Sequence, residues 1–157
     1  LGESLGVNEV GSMSIAPQAG VQDIKAQIEK VKIEEADRYL SERLKTAELV
    51  VRGRVTKVMR VVGLNQASEH APDWYEAEIR IERVLKGRTA GKRIKIFFPK
   101  SVDVAWYKAP KFDIGAKGIW LLRSYEYAGR KLEGLTALEK IDYQPMVEEK
   151  RIIRLVR

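Results

Sequence analysis

Enzyme chemistry needs a nucleophile with an activating base, paired carboxylates or a metal, and this chain of 157 residues holds few of the parts. Its one histidine, His70, lies in the run ASEHAPD beside Ser68, Glu69 and Asp73. A triad can be imagined there, but a histidine in a polar loop reads more simply as a surface residue. Glu34, Glu35 and Asp37 form the densest group of carboxylates, and consecutive acids on a helix mark a solvated face rather than a cation site. The segment GRTAGK lacks the length and the following Ser/Thr of a phosphate-cradling loop, and it stands between two strand patterns, so it reads as a hairpin turn. With no cysteine in the chain, disulfides, thiolate metal sites and cysteine nucleophiles are excluded. The reading is a non-enzymatic protein with no catalytic residue, no metal and no cofactor.

Two other groups of residues could bind a partner. Arg52, Arg54, Lys57 and Arg60 follow one another along a strand-like segment, with Arg80 and Lys95 on neighbouring ones. A basic strip of this kind on a small barrel can track a nucleic-acid backbone. Against it, single-strand binders interleave stacking aromatics with their cations, whereas Glu76, Glu78 and Glu82 on the adjacent segment offer cross-strand ion pairs. The second group is the connection VDVAWYKAPKF, where Trp106, Tyr107 and Phe112 stand beside Lys108 and Lys111. Such an amphipathic cluster suits contact with a protein or glycan partner; it also suits a lid whose rings cap one end of a barrel.

The elements that must position these residues change character along the chain. Residues 1 to 20 are rich in Gly and Ser, contain a Pro and follow neither hydrophobic period, which predicts a flexible leader. Ile24, Ile28 and Val31, then Ala36, Tyr39, Leu40 and Leu44, give a helical stripe with one offset near Ile33, so one interrupted helix or two short ones fill residues 22 to 46. From Glu48 the period becomes two. The alternation slips between Val55 and Val58, which a β-bulge would absorb, and Gly53 in mid-strand points to a bend or to close packing. WYEAEIRIERVL and RIKIFFP complete a three-strand meander, with Ile79, Ile81, Ile94 and Ile96 inward. Residues 99 to 116 form a long connection too apolar to lie free in solvent. KGIWLLRSYEY is apolar at its centre, as in a strand covered on both faces with Leu121 inside, and KLEGLTALEK reads as its antiparallel partner. Pro145 opens a short amphipathic helix over 145 to 155 that includes Val147, Ile152, Ile153 and Val156.

Charge follows this division. Residues 1 to 47 hold six Lys/Arg against eight Asp/Glu, and the remaining 23 against 14 put an excess of nine positive charges in residues 48 to 157. The basic part is therefore the β part, and such an excess attracts nucleic acid, anionic lipid or an acidic partner. No apolar run approaches the roughly 20 residues a membrane span requires. The chain starts at Leu1, as a truncated chain or a mature product freed of its leader would.

A long bent strand, a meander, an elaborate connection and a hairpin follow the plan of the five-stranded OB barrel. The wording AELVVRGRV, then IERVLKG, then GIWLL resembles the netrin-like domains related to tissue inhibitors of metalloproteinases, as found in exported bacterial proteins, over about residues 46 to 138. That resemblance implies a secreted, periplasmic or envelope-associated protein. The animal members look like disulfide-stapled folds that chelate a protease zinc through an N-terminal cysteine, so with no cysteine here that route of inhibition does not carry over. The expectation is a mainly β protein: a five-stranded antiparallel OB-like barrel over 48 to 138 with an N-terminal and a short C-terminal helix. It serves as an interaction module for a protein or glycan partner, or alternatively binds nucleic acid along Arg52 and Arg54.

Overall fold

The computed structural model describes residues 2–61, 73–100, 108–127 and 129–157, leaving aside the side chains of 2–19, 127, 130 and 131. The chain divides into two compact units, Leu1–Tyr39 and Leu40–Arg157. In the first, helix α1 (Gly2–Thr46) runs unbroken where the stripe's offset argued for an interruption, and Val21, Ile24, Ile28 and Val31 are exposed along it. The last turns of α1 belong to the second unit, where Leu40 and Leu44 are buried. No described helix is long and apolar enough to cross a membrane.

The second unit is built on strands β1 (Leu49–Arg60), β2 (Trp74–Lys86), β3 (Arg93–Pro99), β4 (Lys117–Leu122), a two-residue hairpin of β5 (Glu126–Tyr127) and β6 (Arg130–Lys131), then β7 (Leu135–Thr136) and β8 (Tyr143–Gln144). Helix α2 (Glu149–Val156) ends it. One six-stranded sheet runs β7-β3-β2-β1-β4-β8 and curls into a half-barrel. This corrects the expected closed, five-stranded, wholly antiparallel barrel in three respects. The sheet has six strands, it is open, and β3 pairs with β7 in parallel through Ile96–Leu135 and Phe97–Thr136. The predicted partner of β4, residues 131 to 140, is not one strand: it supplies only the end of β6 and the two residues of β7. A single bridge spans the remaining gap: Thr136 N–H donates to Arg123 O at 2.8 Å, and Arg123 N–H to Thr136 O at 3.3 Å.

The bend of β1 lies where the slipped alternation placed it. Val55 pairs with Ile79 and Lys57 with Glu78, leaving Thr56 as the extra residue of a bulge. Its hydroxyl donates to the Glu78 carboxylate at 3.0 Å. Two further register shifts, at Val50/Val51 and Arg52/Gly53, coil the β1–β2 ribbon along its length. Gly53 is needed for close approach: a Cβ there would meet the Arg80 carbonyl oxygen and would stand 2.9 Å from Ile79 Cγ2. Gly53→Ala should therefore cost about 1–3 kcal/mol through forced backbone shifts, read as a lower urea midpoint at unchanged slope.

Two apolar layers cover the sheet. The concave side holds Val51, Val55, Ile79, Ile96, Phe98, Phe112, Trp120 and Leu122. The convex side packs Val50, Ile119 and Leu121 against Leu40 and Leu44 of α1 and Ile152 of α2. β4 is thus covered on both faces as its composition implied, but Leu121 lies under the helices and Trp120 fills the barrel side. Val147 is 84 % exposed, in the 3₁₀ turn Met146–Glu148 that precedes α2, so it is not part of the buried face. The end of α1 is locked by Arg43, whose guanidinium forks onto the fully buried Asp142 at 2.7 and 2.8 Å. Asp142 also accepts the Leu138 and Glu139 amides at 3.1 and 3.0 Å.

Candidate anion-binding site

The structure divides the two groups of sequence-selected residues. Trp106 and Tyr107 lie outside the described residues, as do Ser68, Glu69 and His70. Phe112 is 1 % exposed and meets Phe98, Trp120 and Tyr143 edge-on at 5.1, 5.7 and 5.1 Å between ring centroids. It is a core ring and offers a partner no surface. Lys111 turns its ammonium back onto the Pro99 and Ala109 carbonyls at 2.8 and 3.0 Å, and burial pushes its pKa below the ordinary lysine value. Lys108 is exposed beside the buried Ala109. Glu34 and Glu35 are exposed on α1 with Asp37 half-buried, and among the described residues no three acidic or histidine side chains gather as a metal would need.

The strip along β1 does not act as one surface. Arg52 is held by Glu149 at 2.9 Å and by Glu82 at 3.5 Å. Arg60 is held by Asp73 at 2.9 Å, whose hydrogen bond and charge raise the guanidinium pKa. Lys57 faces Glu76, Glu78 and Lys95 across a recess of about 80 Å³. Lys95 itself pairs with Glu76 at 3.5 Å. Of the anticipated cross-strand ion pairs, Glu82 meets Arg52 within the row, while Glu76 and Glu78 meet Lys95 and Arg93 of β3.

Arg54 is the exception. Its strand partners are Arg80 of β2 on one side and Lys117 of β4 on the other, while Arg80 in turn lies opposite Arg93 of β3. Directly opposed side chains have their Cβ atoms about 5 Å apart and like charges there are destabilising, yet four cations stand abreast across four strands. Only Arg93 has a carboxylate, Glu78 at 3.5 Å. Arg54, Arg80 and Lys117 are exposed and form no ion pair with any described residue. They line one side of a hollow of about 620 Å³, and Lys92 from the β2–β3 turn and Arg83 from the bulged end of β2 contribute to the rest. Ile81 and Val84 also line it, and among the described lining residues Glu82 alone is acidic. Arg83 is partly neutralised by Glu149 at 3.4 Å.

Each part is positioned by the backbone. The bulge at Glu82 resets the register so that Arg80 comes opposite Arg54. Gly118, against which the Tyr143 ring is stacked without room for a Cβ, sets the start of β4, and the Tyr143 hydroxyl donates to the Lys117 carbonyl at 2.5 Å. Desolvation raises the pKa of that phenol. The sequence reading had Arg54 and Arg80, but Lys92, Arg83 and Lys117 escaped it. Their only local signal was a basic residue flanking a strand or turn, which is common on any surface. The arrangement can hold several negative charges at once against a partly apolar lining. No protein-family model matches the chain and no curated protein matches it in sequence.

Proposed function

We propose that residues 40 to 157 are a non-enzymatic binding module for an anionic, phosphate-bearing ligand, held at the basic hollow of a partly open OB-type barrel of the netrin-like kind. The observation that carries this reading is the opposed row Arg80–Arg54–Lys117, which lacks carboxylates although neighbouring arginines and lysines have them. A row that costs stability in the free protein is accounted for by an anion that neutralises it. The β1–β2–β3 meander with β4 beside β1, and the bridge from Arg123 to Thr136, support the OB-type assignment. The basic surface is the contact region favoured here, and of the aromatic connection Phe112 belongs to the core.

Charge reversal gives the test. Arg80→Glu should place a carboxylate opposite Arg54 and leave stability unchanged or higher by about 0.2–1 kcal/mol. The same variant should lose retention on a phosphate-bearing matrix, and the wild-type protein should elute progressively earlier as salt rises. Arg80→Glu that is retained as tightly as wild type would refute the site, since its fold is preserved by design.

A further inference from the structure

Resting on that reading, we infer that the hollow takes a compact ligand carrying three or more linked phosphates, an oligophosphate chain, rather than a nucleic-acid strand. Three observations bear on the choice. A strand-tracking surface must continue beyond one site, and single-strand grooves run about 4–16 nucleotides per OB fold. Here the surface along β1 is neutralised on either side of Arg54: by Glu82 and Glu149 at Arg52, and by Asp73 at Arg60, with Glu76 and Glu78 beside Lys57 between. On β3, Arg93 and Lys95 are likewise taken by Glu78 and Glu76. A polyanion leaving the hollow in these directions meets carboxylates already paired with their cations and gains little.

The second observation is the lining. Among the described residues no aromatic side chain borders the hollow, whose apolar lining is Ile81 and Val84. Base stacking on aromatic rings is the main sequence-tolerant term in single-strand binding, and the described lining offers it no platform. Recognition therefore falls on charge and on N–H donors. Arg54 and Arg80 bring two planar forks suited to bidentate phosphate oxygens, while Lys92 and Lys117 bring point charges. The third observation is size and charge together. A volume of about 620 Å³ lies within the range of small-ligand sites, roughly 300–1,000 Å³, and five described lining cations, of which Arg83 is shared with Glu149, against the carboxylate of Glu82 leave an excess that several linked phosphates would match.

Calorimetric titration of the full chain in magnesium-free buffer at low salt tests this with three probes: inorganic tripolyphosphate, adenosine triphosphate, and an oligothymidylate of about 12 nucleotides. Tripolyphosphate is expected to bind one to one, with affinity lowered at least about tenfold by Arg54→Glu or by Arg80→Glu, since each removes a charge-assisted hydrogen bond and inserts a repulsion. Adenosine triphosphate binding as well as tripolyphosphate identifies the phosphate chain alone as the ligand. Binding more than about tenfold tighter identifies a nucleotide as its bearer. Both outcomes uphold the inference. Oligothymidylate that binds and is lost in Arg54→Glu, while tripolyphosphate does not bind, overturns the compact ligand and keeps the anionic hollow. If neither phosphate chains nor oligothymidylate bind, or if both charge reversals leave binding unchanged, the hollow is not the site and both readings fall. Thermal unfolding of each variant alongside establishes that the loss is not one of folding.

Discussion

Phe112→Ala is expected to cost about 3–5 kcal/mol, the range for deleting a fully buried phenyl ring. The ring stands at the junction of three others, edge-on to Phe98, Trp120 and Tyr143, and each such pair contributes about 0.5–1.5 kcal/mol beyond burial. Its removal would leave a void between the connection after β3 and the inner face of β4 that rigid strands cannot fill. Phe112→Leu keeps most of the volume and should lose much less. Urea unfolding monitored by tryptophan fluorescence measures both, since Trp120 reports on the same cluster. The effect should also spread. Tyr143, which leans on Phe112, holds the Lys117 carbonyl at the rim of the basic hollow, so a phosphate-chain affinity that falls in Phe112→Ala under folding conditions is part of the expected result. An alanine variant as stable as wild type would place the ring outside the core and return it to the contact surface its neighbours in sequence suggested.

The second large effect is at Asp142. This carboxylate is fully buried, and its two oxygens serve Arg43 and the amides of Leu138 and Glu139. Asp142→Ala takes from a nearly buried guanidinium its fully buried partner, leaving the half-exposed Glu139 at 3.7 Å, and unpairs two N–H groups; breaking a buried pair from one side costs about 3–5 kcal/mol. Arg43→Met alone should also destabilise, by leaving the carboxylate without its counter-ion. The double variant Arg43→Met/Asp142→Leu should be less damaging than the sum of the single changes, because no buried charge remains and only the two amides stay unpaired. Strictly additive losses in a double-mutant cycle by urea unfolding would show that the two side chains do not depend on each other.

Both effects arise at positions whose importance could not be read locally. Asp142 sits in the polar run LEKIDYQ and its partner Arg43 lies 99 residues earlier. Phe112 shares a segment with surface lysines, and its aromatic neighbours in sequence made it look like part of an exposed patch. In each case a contact across the fold turned a loop residue into a core one. The strands were different. Alternation in WYEAEIRIERVL and RIKIFFP follows directly from the two-residue period of a half-buried ladder, and the structure has β2 and β3 there with Ile79 and Ile96 inside. The bulge at Thr56 was legible for the same reason, since an extra residue leaves a visible break in the apolar period.

Pattern determined the strands β1 to β4, where β1 bends and that β4 is covered on both faces, because period and burial act over a few neighbouring residues. Tertiary structure alone decided which strands are neighbours and in what register. β1 pairs with β4 across more than fifty residues, β7 turns to run parallel to β3, and three register shifts along β1–β2 choose which arginine faces which. A shift of one residue moves a side chain to the opposite face of the sheet, so no local rule could show that Arg54 stands between Arg80 and Lys117 while Arg52, two residues away, is tied to Glu149. The charge of the β unit was written in its composition; the opposition of Arg80, Arg54 and Lys117 is a product of register.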